Sequence, residues 1–171
     1  MKAEPACAFY NHMPAAAIKS RVGDQIWGDY LKFSVVRNPY DYAVSRFFWD
    51  KRNGNQASGF RDYLLSNPEV LLVNRKITRL GDACCVDFML RYEHFATDLV
   101  ELSQKIALPG NVCTDFMSLS AKGGIRPATA SVDEMFAGFR DGVELVKILC
   151  REDIERYGYA PPGKPCQIAV P

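Results

Sequence analysis

The residues most able to do chemistry lie between Lys32 and Arg52, "KFSVVRNPYDYAVSRFFWDKR". An apolar run, Phe33 to Val36, ends at Arg37, and Asn38 and Pro39 then open a helical pattern with Asp41 in its first turn and Ser45 one turn further on. A planar guanidinium can make two parallel hydrogen bonds to a phosphate. A helix start adds free amides and the positive end of the macrodipole. Asp41 and Ser45 are four residues apart and so share a helix face, which directs the Ser45 hydroxyl toward whatever Arg37 holds. The three features can therefore converge on one dianion. The same spacing also allows a plainer arrangement, with Arg37 paired to an acid and Ser45 a small packed residue.

The elements that must position these groups read clearly. Asn38 is a good N-cap, Pro39 suits the first helical position, and a carboxylate at Asp41 can reach back to an amide. The helix is expected over Asn38 to Lys51, with Ala43, Val44, Phe47 and Phe48 on one stripe and "NGN" at residues 53–55 as the stop. "FSVV" suits a buried strand, and "DFMLRY", Asp87 to Tyr92, a second one. Further helices are expected over Pro14 to Val22, Phe60 to Leu65, Phe95 to Leu108, Val132 to Phe139 and Val143 to Tyr157. Gly23 stops the first of these and Pro109-Gly110 the third. Residues 118–131 form a polar, glycine-bearing loop, and 160–171 an irregular tail. Strands alternating with helices imply α/β layering around a small parallel sheet.

The 171 residues suit a single domain, 1–171, and 21 Lys and Arg against 20 Asp and Glu give no field that would draw the chain onto nucleic acid. Any anion site must be local. No apolar run reaches membrane-spanning length, and the first residues lack the apolar centre of a signal peptide, so no stable membrane insertion and a cytoplasmic location are expected. The Golgi lumen is the expectation for a piece of a longer eukaryotic protein. The six cysteines, at 7, 84, 85, 113, 150 and 166, include no C-x-x-C pair and no histidine at ligand spacing. No metal site and plain thiols are the expectation.

The run "KFSVVRNPYDYAVSRFF" resembles the strand and helix with which the sulfotransferase superfamily grips the 3′-phosphate of 3′-phosphoadenosine 5′-phosphosulfate (PAPS), a pattern R-[ND]-P-x-[DE]-x-x-x-S. "RYEHFATD", Arg91 to Asp98, and "DIERYGY", Asp153 to Tyr159, resemble two later motifs of the carbohydrate branch that includes the uronyl 2-O-sulfotransferases. The resemblance spans about residues 12–159. It implies a P-loop-like sulfotransferase fold with a small, N-terminally truncated parallel sheet flanked by helices. It also implies PAPS as donor, 3′-phosphoadenosine 5′-phosphate (PAP) as product, and a hydroxyl of a carbohydrate as acceptor.

Carried over by residue, the resemblance makes Arg37 and Ser45 the 3′-phosphate ligands and His12 the general base. Lys122, Gly123 and Arg126, in "SAKGGIRP", correspond to the late loop that closes over the nucleotide. The sequence departs from the family in having no P-K-[ST]-[GA]-[TS]-[TS] segment, whose amides and lysine hold the 5′-phosphosulfate. Loss of such preorganised donors typically costs hundreds-fold in rate. The alternative to a transferase is therefore a non-catalytic nucleotide-binding or scaffold remnant. An exposed sheet edge also offers a route to an oligomer.

Overall fold

The computed structural model describes residues 9–118 and 124–163, with backbone alone at 110–112. In chain order the elements are α1 (Ala15–Asp29), β1 (Phe33–Val36), α2 (Pro39–Arg52), α3 (Phe60–Ser66), a 3-10 segment Pro68–Leu72, α4 (Arg75–Thr78), β2 (Arg79–Leu80), β3 (Ala83–Cys84) and β4 (Phe88–Arg91). A 3-10 turn Tyr92–His94 then leads into α5 (Phe95–Lys105), followed by α6 (Gly110–Ser118), α7 (Val132–Phe136), α8 (Arg140–Leu149) and α9 (Arg151–Tyr157). Helix and strand are mixed as expected for an α/β chain. The described residues form two compact units, 9–36 with 73–110, and 37–72 with 111–118 and 124–163.

The first unit holds the parallel pair β1–β4, in the register Phe33↔Phe88 to Val36↔Arg91. Its start is locked by charge and backbone together. The Lys32 amide donates to Asp87 Oδ2 at 2.8 Å, Lys32 Nζ lies 2.7 Å from the same oxygen, and the Asp87 amide returns a bond to the Lys32 carbonyl. Those bonds to Lys32 hold the Asp87 carboxyl below the usual carboxylate range. On one face of β1, Phe33 and Val35 are exposed.

The far end of β4 is tied to α5. Asp98, 3 % exposed, takes hydrogen bonds from the Arg91 amide at 2.7 Å, Arg91 Nε at 2.9 Å and Arg91 Nη2 at 2.6 Å. A bidentate pair from strand end to helix start sets where α5 begins, and α5 then buries Leu99 and Leu102. The first and last residues of the "RYEHFATD" motif thus hold the strand to the helix.

One sequence expectation is corrected in this unit. The first helix does not end at Gly23: that glycine, at φ 82° and ψ 163°, breaks the helical path, but the chain re-enters helix and continues to Asp29. Glycine tolerates that φ, so the break is a kink inside a longer element. Residues 73–86, for which no element was expected, carry α4 and the two-residue hairpin β2–β3. Cys84 lies in that hairpin, and α6, Gly110–Ser118, is a further helix for which no element was expected.

The second unit is built on aromatic side chains. Phe60 meets Phe136 edge-on at 5.0 Å and Phe139 at 6.2 Å, Phe47 packs on Phe60 and Tyr63, and Tyr40 meets Phe136 at 5.5 Å. Edge-to-face pairs of this kind add to the burial each ring contributes. Burial pushes the Tyr40 phenol up to about 12. The stripe expected on α2 is buried at Ala43, Val44 and Phe47, and Phe48 is half-exposed. The closing helix expected over Val143 to Tyr157 is two helices, because the chain leaves helical geometry at Cys150 and restarts at Arg151. α7 opens on a capping box, Ser131 with Glu134.

Candidate functional site

The site is built from the start of α2. The Asn38 side chain accepts from the Tyr40 amide at 3.0 Å and Pro39 fills the first helical position, so the helix begins where the sequence places it. Arg37 is the residue just before that cap. Its Nη1 lies 3.1 Å from Ser45 Oγ, and its Nε donates to Asp41 Oδ2. The structure therefore brings Arg37 and Ser45 together, and it also gives Arg37 the acidic partner of the plainer reading. Asp41 does not reach back to an amide as expected, because its carboxylate is taken up by arginines.

The second of those arginines is Arg126, whose Nη1 lies 2.5 Å from Asp41 Oδ1 across a sequence separation of 85 residues. Arg126 Nε also donates to the Ala130 carbonyl at 2.6 Å, which fixes the guanidinium against its own loop. The result is one carboxylate gripped from both sides, with a serine beside it. The side chains of Arg37, Asp41 and Arg126 are 25 %, 22 % and 24 % exposed, so the cluster is partly open to solvent. Ser45 Oγ accepts from Arg37, which leaves its own proton to donate elsewhere.

Further along α2 the same region opens into a shallow cleft of ≈ 470 Å³ lined by Phe48, Lys51, Arg52, Gly124 and Ile125. Phe48 stands three residues beyond Ser45, and Gly124 and Ile125 lead directly to Arg126. The cleft is lined by chain neighbours of the arginine cluster rather than by its four members, with a phenyl ring and two cations on its walls. A neighbouring network on α2 is structural. Asp50 accepts from Arg46 Nε at 2.8 Å and from the Tyr63 hydroxyl at 2.6 Å, and burial, with Asp50 next to it, raises the Tyr63 phenol.

The remaining expected site residues are placed as follows. Lys122 and Gly123 lie outside the described residues. His12 belongs to the first unit, exposed in a turn at φ 60° just ahead of buried Met13. Histidine adopts that left-handed conformation more readily than most side chains. Among the described residues no group of His, Cys, Asp and Glu could hold a metal ion, and no helix is long and apolar enough to cross a membrane. Cys84, Cys85, Cys113 and Cys150 are free thiols, while Cys7 and Cys166 lie outside the described residues.

The sequence reading had Arg126 as a loop residue over the nucleotide and missed its bond to Asp41. It gave Phe48 only a place on the apolar stripe of α2, and gave Lys51 and Arg52 no site role. The i, i+4 spacing of Arg37 with Asp41 was a readable signal for the first ion pair, whereas nothing local marks a contact 85 residues away.

Among known proteins, one from Archaeoglobus fulgidus described as an uncharacterized protein is 34 % identical to this chain over 108 residues, covering 57 % of this chain and 84 % of the archaeal one. The chain belongs to the same family as that archaeal protein. No family model matches the chain, and no solved structure matches it.

Proposed function

We propose that this family member binds PAPS by its 3′-phosphate and transfers the sulfuryl group to a hydroxyl, of a carbohydrate in the reading its motifs suggest. The observation that carries the proposal is the meeting of Arg37 Nη1 and Ser45 Oγ at 3.1 Å, at a helix start directly after a strand. Arg126, arriving on the late loop, adds a second guanidinium to the same cluster. Two guanidiniums and a hydroxyl proton supply the charge-assisted donors that a terminal phosphate takes. The adjoining cleft, with Phe48 as a ring face and Lys51 and Arg52 as cations, has the character a base and a further anionic group require. The P-loop-like sulfotransferase fold is part of this reading, supported by the order strand, Arg-Asn-Pro turn, helix and parallel second strand.

In the transfer the acceptor oxygen bonds to sulfur while the bond from sulfur to the bridging phosphate oxygen breaks. PAP leaves with that electron pair, and the acceptor proton passes to a base, for which the resemblance supplies His12. A second reading is a module that holds the nucleotide without transfer, because the cluster of Arg37, Ser45 and Arg126 accounts for phosphate binding and for no step of the transfer. Incubation with donor carrying labelled sulfate and a panel of saccharides separates the two. Label in the saccharide, lost in His12→Ala with PAP binding intact, is the expected result. Tight PAP binding with no transfer to any acceptor establishes the second reading, and no PAP binding at all removes both.

A further inference from the structure

We infer that Asp41 is a resident anion in the phosphate seat, a built-in competitor that a ligand must displace to bind. The inference deepens the nucleotide reading and rests on it. Every described side chain with a role in that seat is already engaged with another member: Arg37 Nε with Asp41 Oδ2, Arg126 Nη1 with Asp41 Oδ1, and Arg37 Nη1 with Ser45 Oγ. The carboxylate thus takes one N–H from each guanidinium, in the position from which a phosphate oxygen would take them. Two guanidiniums against one carboxylate leave a single formal positive charge, too little to neutralise a dianion in the seat.

Asp41 is well placed to yield. It stands in the first turn of α2 with its side chain 22 % exposed, so on release it can reach water by rotation about its own side-chain bonds. Its charge stays close to the helix N-terminus, which favours it in either position. The device suppresses weak occupancy by small solution anions. A ligand that also fills the cleft at Phe48, Lys51 and Arg52 has additional contacts with which to outcompete the carboxylate.

The test is calorimetric titration of PAP and of inorganic sulfate into the whole chain and into Asp41→Asn, Asp41→Ser and Asp41→Glu, with thermal melts to confirm folding. Neutralising the competitor is expected to tighten PAP binding by about tenfold in both the Asn and Ser proteins, the scale of a partly exposed ion pair, and to reveal sulfate binding that the unaltered chain lacks. The Glu protein, which keeps the charge, is expected not to gain. If instead Asp41 only orients the two arginines, the Asn and Ser proteins bind PAP more weakly than the unaltered chain. That result overturns the inference while the nucleotide reading stands. Absence of PAP binding in all the proteins overturns the reading, and the inference with it.

Discussion

Replacing Asp98 by Asn should weaken the first unit in a way that depends on pH. The carboxylate accepts three hydrogen bonds from Arg91, at 2.6, 2.7 and 2.9 Å, and is itself buried. Asparagine keeps the size and one acceptor oxygen, but turns an amide nitrogen toward a donor and removes the charge. Hydrogen bonds to charged groups contribute roughly 1.5–3 kcal/mol each, and losing one partner of a buried pair costs about 3–5 kcal/mol. Arg91 is 40 % exposed and water can take over part of its demand, so a net loss of about 2–3 kcal/mol is expected. The hydrogen bonds from Arg91 hold the folded-state carboxyl of Asp98 below its ordinary value. Its contribution is therefore full above the unfolded-state value near about pH 4, and falls away as pH drops through the folded-state value. Urea unfolding of both proteins, followed by circular dichroism at neutral pH and at about pH 3, should show a wide gap that narrows on acidification. Equal stabilities at neutral pH, or a gap that does not change with pH, would refute the reasoning.

Gly142→Ala should destabilise the second unit despite the better helix propensity of alanine, worth about 1 kcal/mol. The added Cβ would stand 2.2 Å from Phe139 Cε1, and that ring is held by Phe136 and Phe60, so overpacking of about 1–3 kcal/mol wins. A raised melting temperature would contradict this. Ser45→Ala should leave stability unchanged or slightly higher while weakening PAP binding about five- to tenfold, through loss of one hydroxyl donor. Calorimetry beside a thermal melt checks both signs, and unaltered affinity would take Ser45 out of the site.

Much of the site's frame was legible because its determinants are local. Asn38, Pro39 and the stripe Ala43, Val44, Phe47 fix α2 from cap to core with no help from distant residues, and "FSVV" and "DFMLRY" carry enough β-branched and apolar character to declare the parallel pair. What escaped depends on partners far along the chain. The role of Asp41 changed because Arg126, 85 residues away, claims one of its oxygens. The break at Cys150 divides a helical pattern that periodicity alone reads as continuous. The hairpin at 79–84 has strands of two residues, too short for an alternating pattern to register. The capping box at Ser131 and Glu134 stood in the sequence as S-x-x-E and sharpens a helix start that spacing alone had placed correctly.

The account turns on whether Arg37 and Ser45 receive a 3′-phosphate. The direct measurement is paired calorimetric titration of PAP and of adenosine 5′-phosphate, which lacks only that group, into the unaltered chain and into folded Arg37→Ala. The expected result is clear preference for PAP in the unaltered chain, with the Arg37→Ala protein losing one to two orders of magnitude of PAP affinity, since a charge-assisted contact is removed, and binding both nucleotides alike. Equal affinity of the unaltered chain for the two nucleotides, or the same preference for PAP without Arg37, would contradict it.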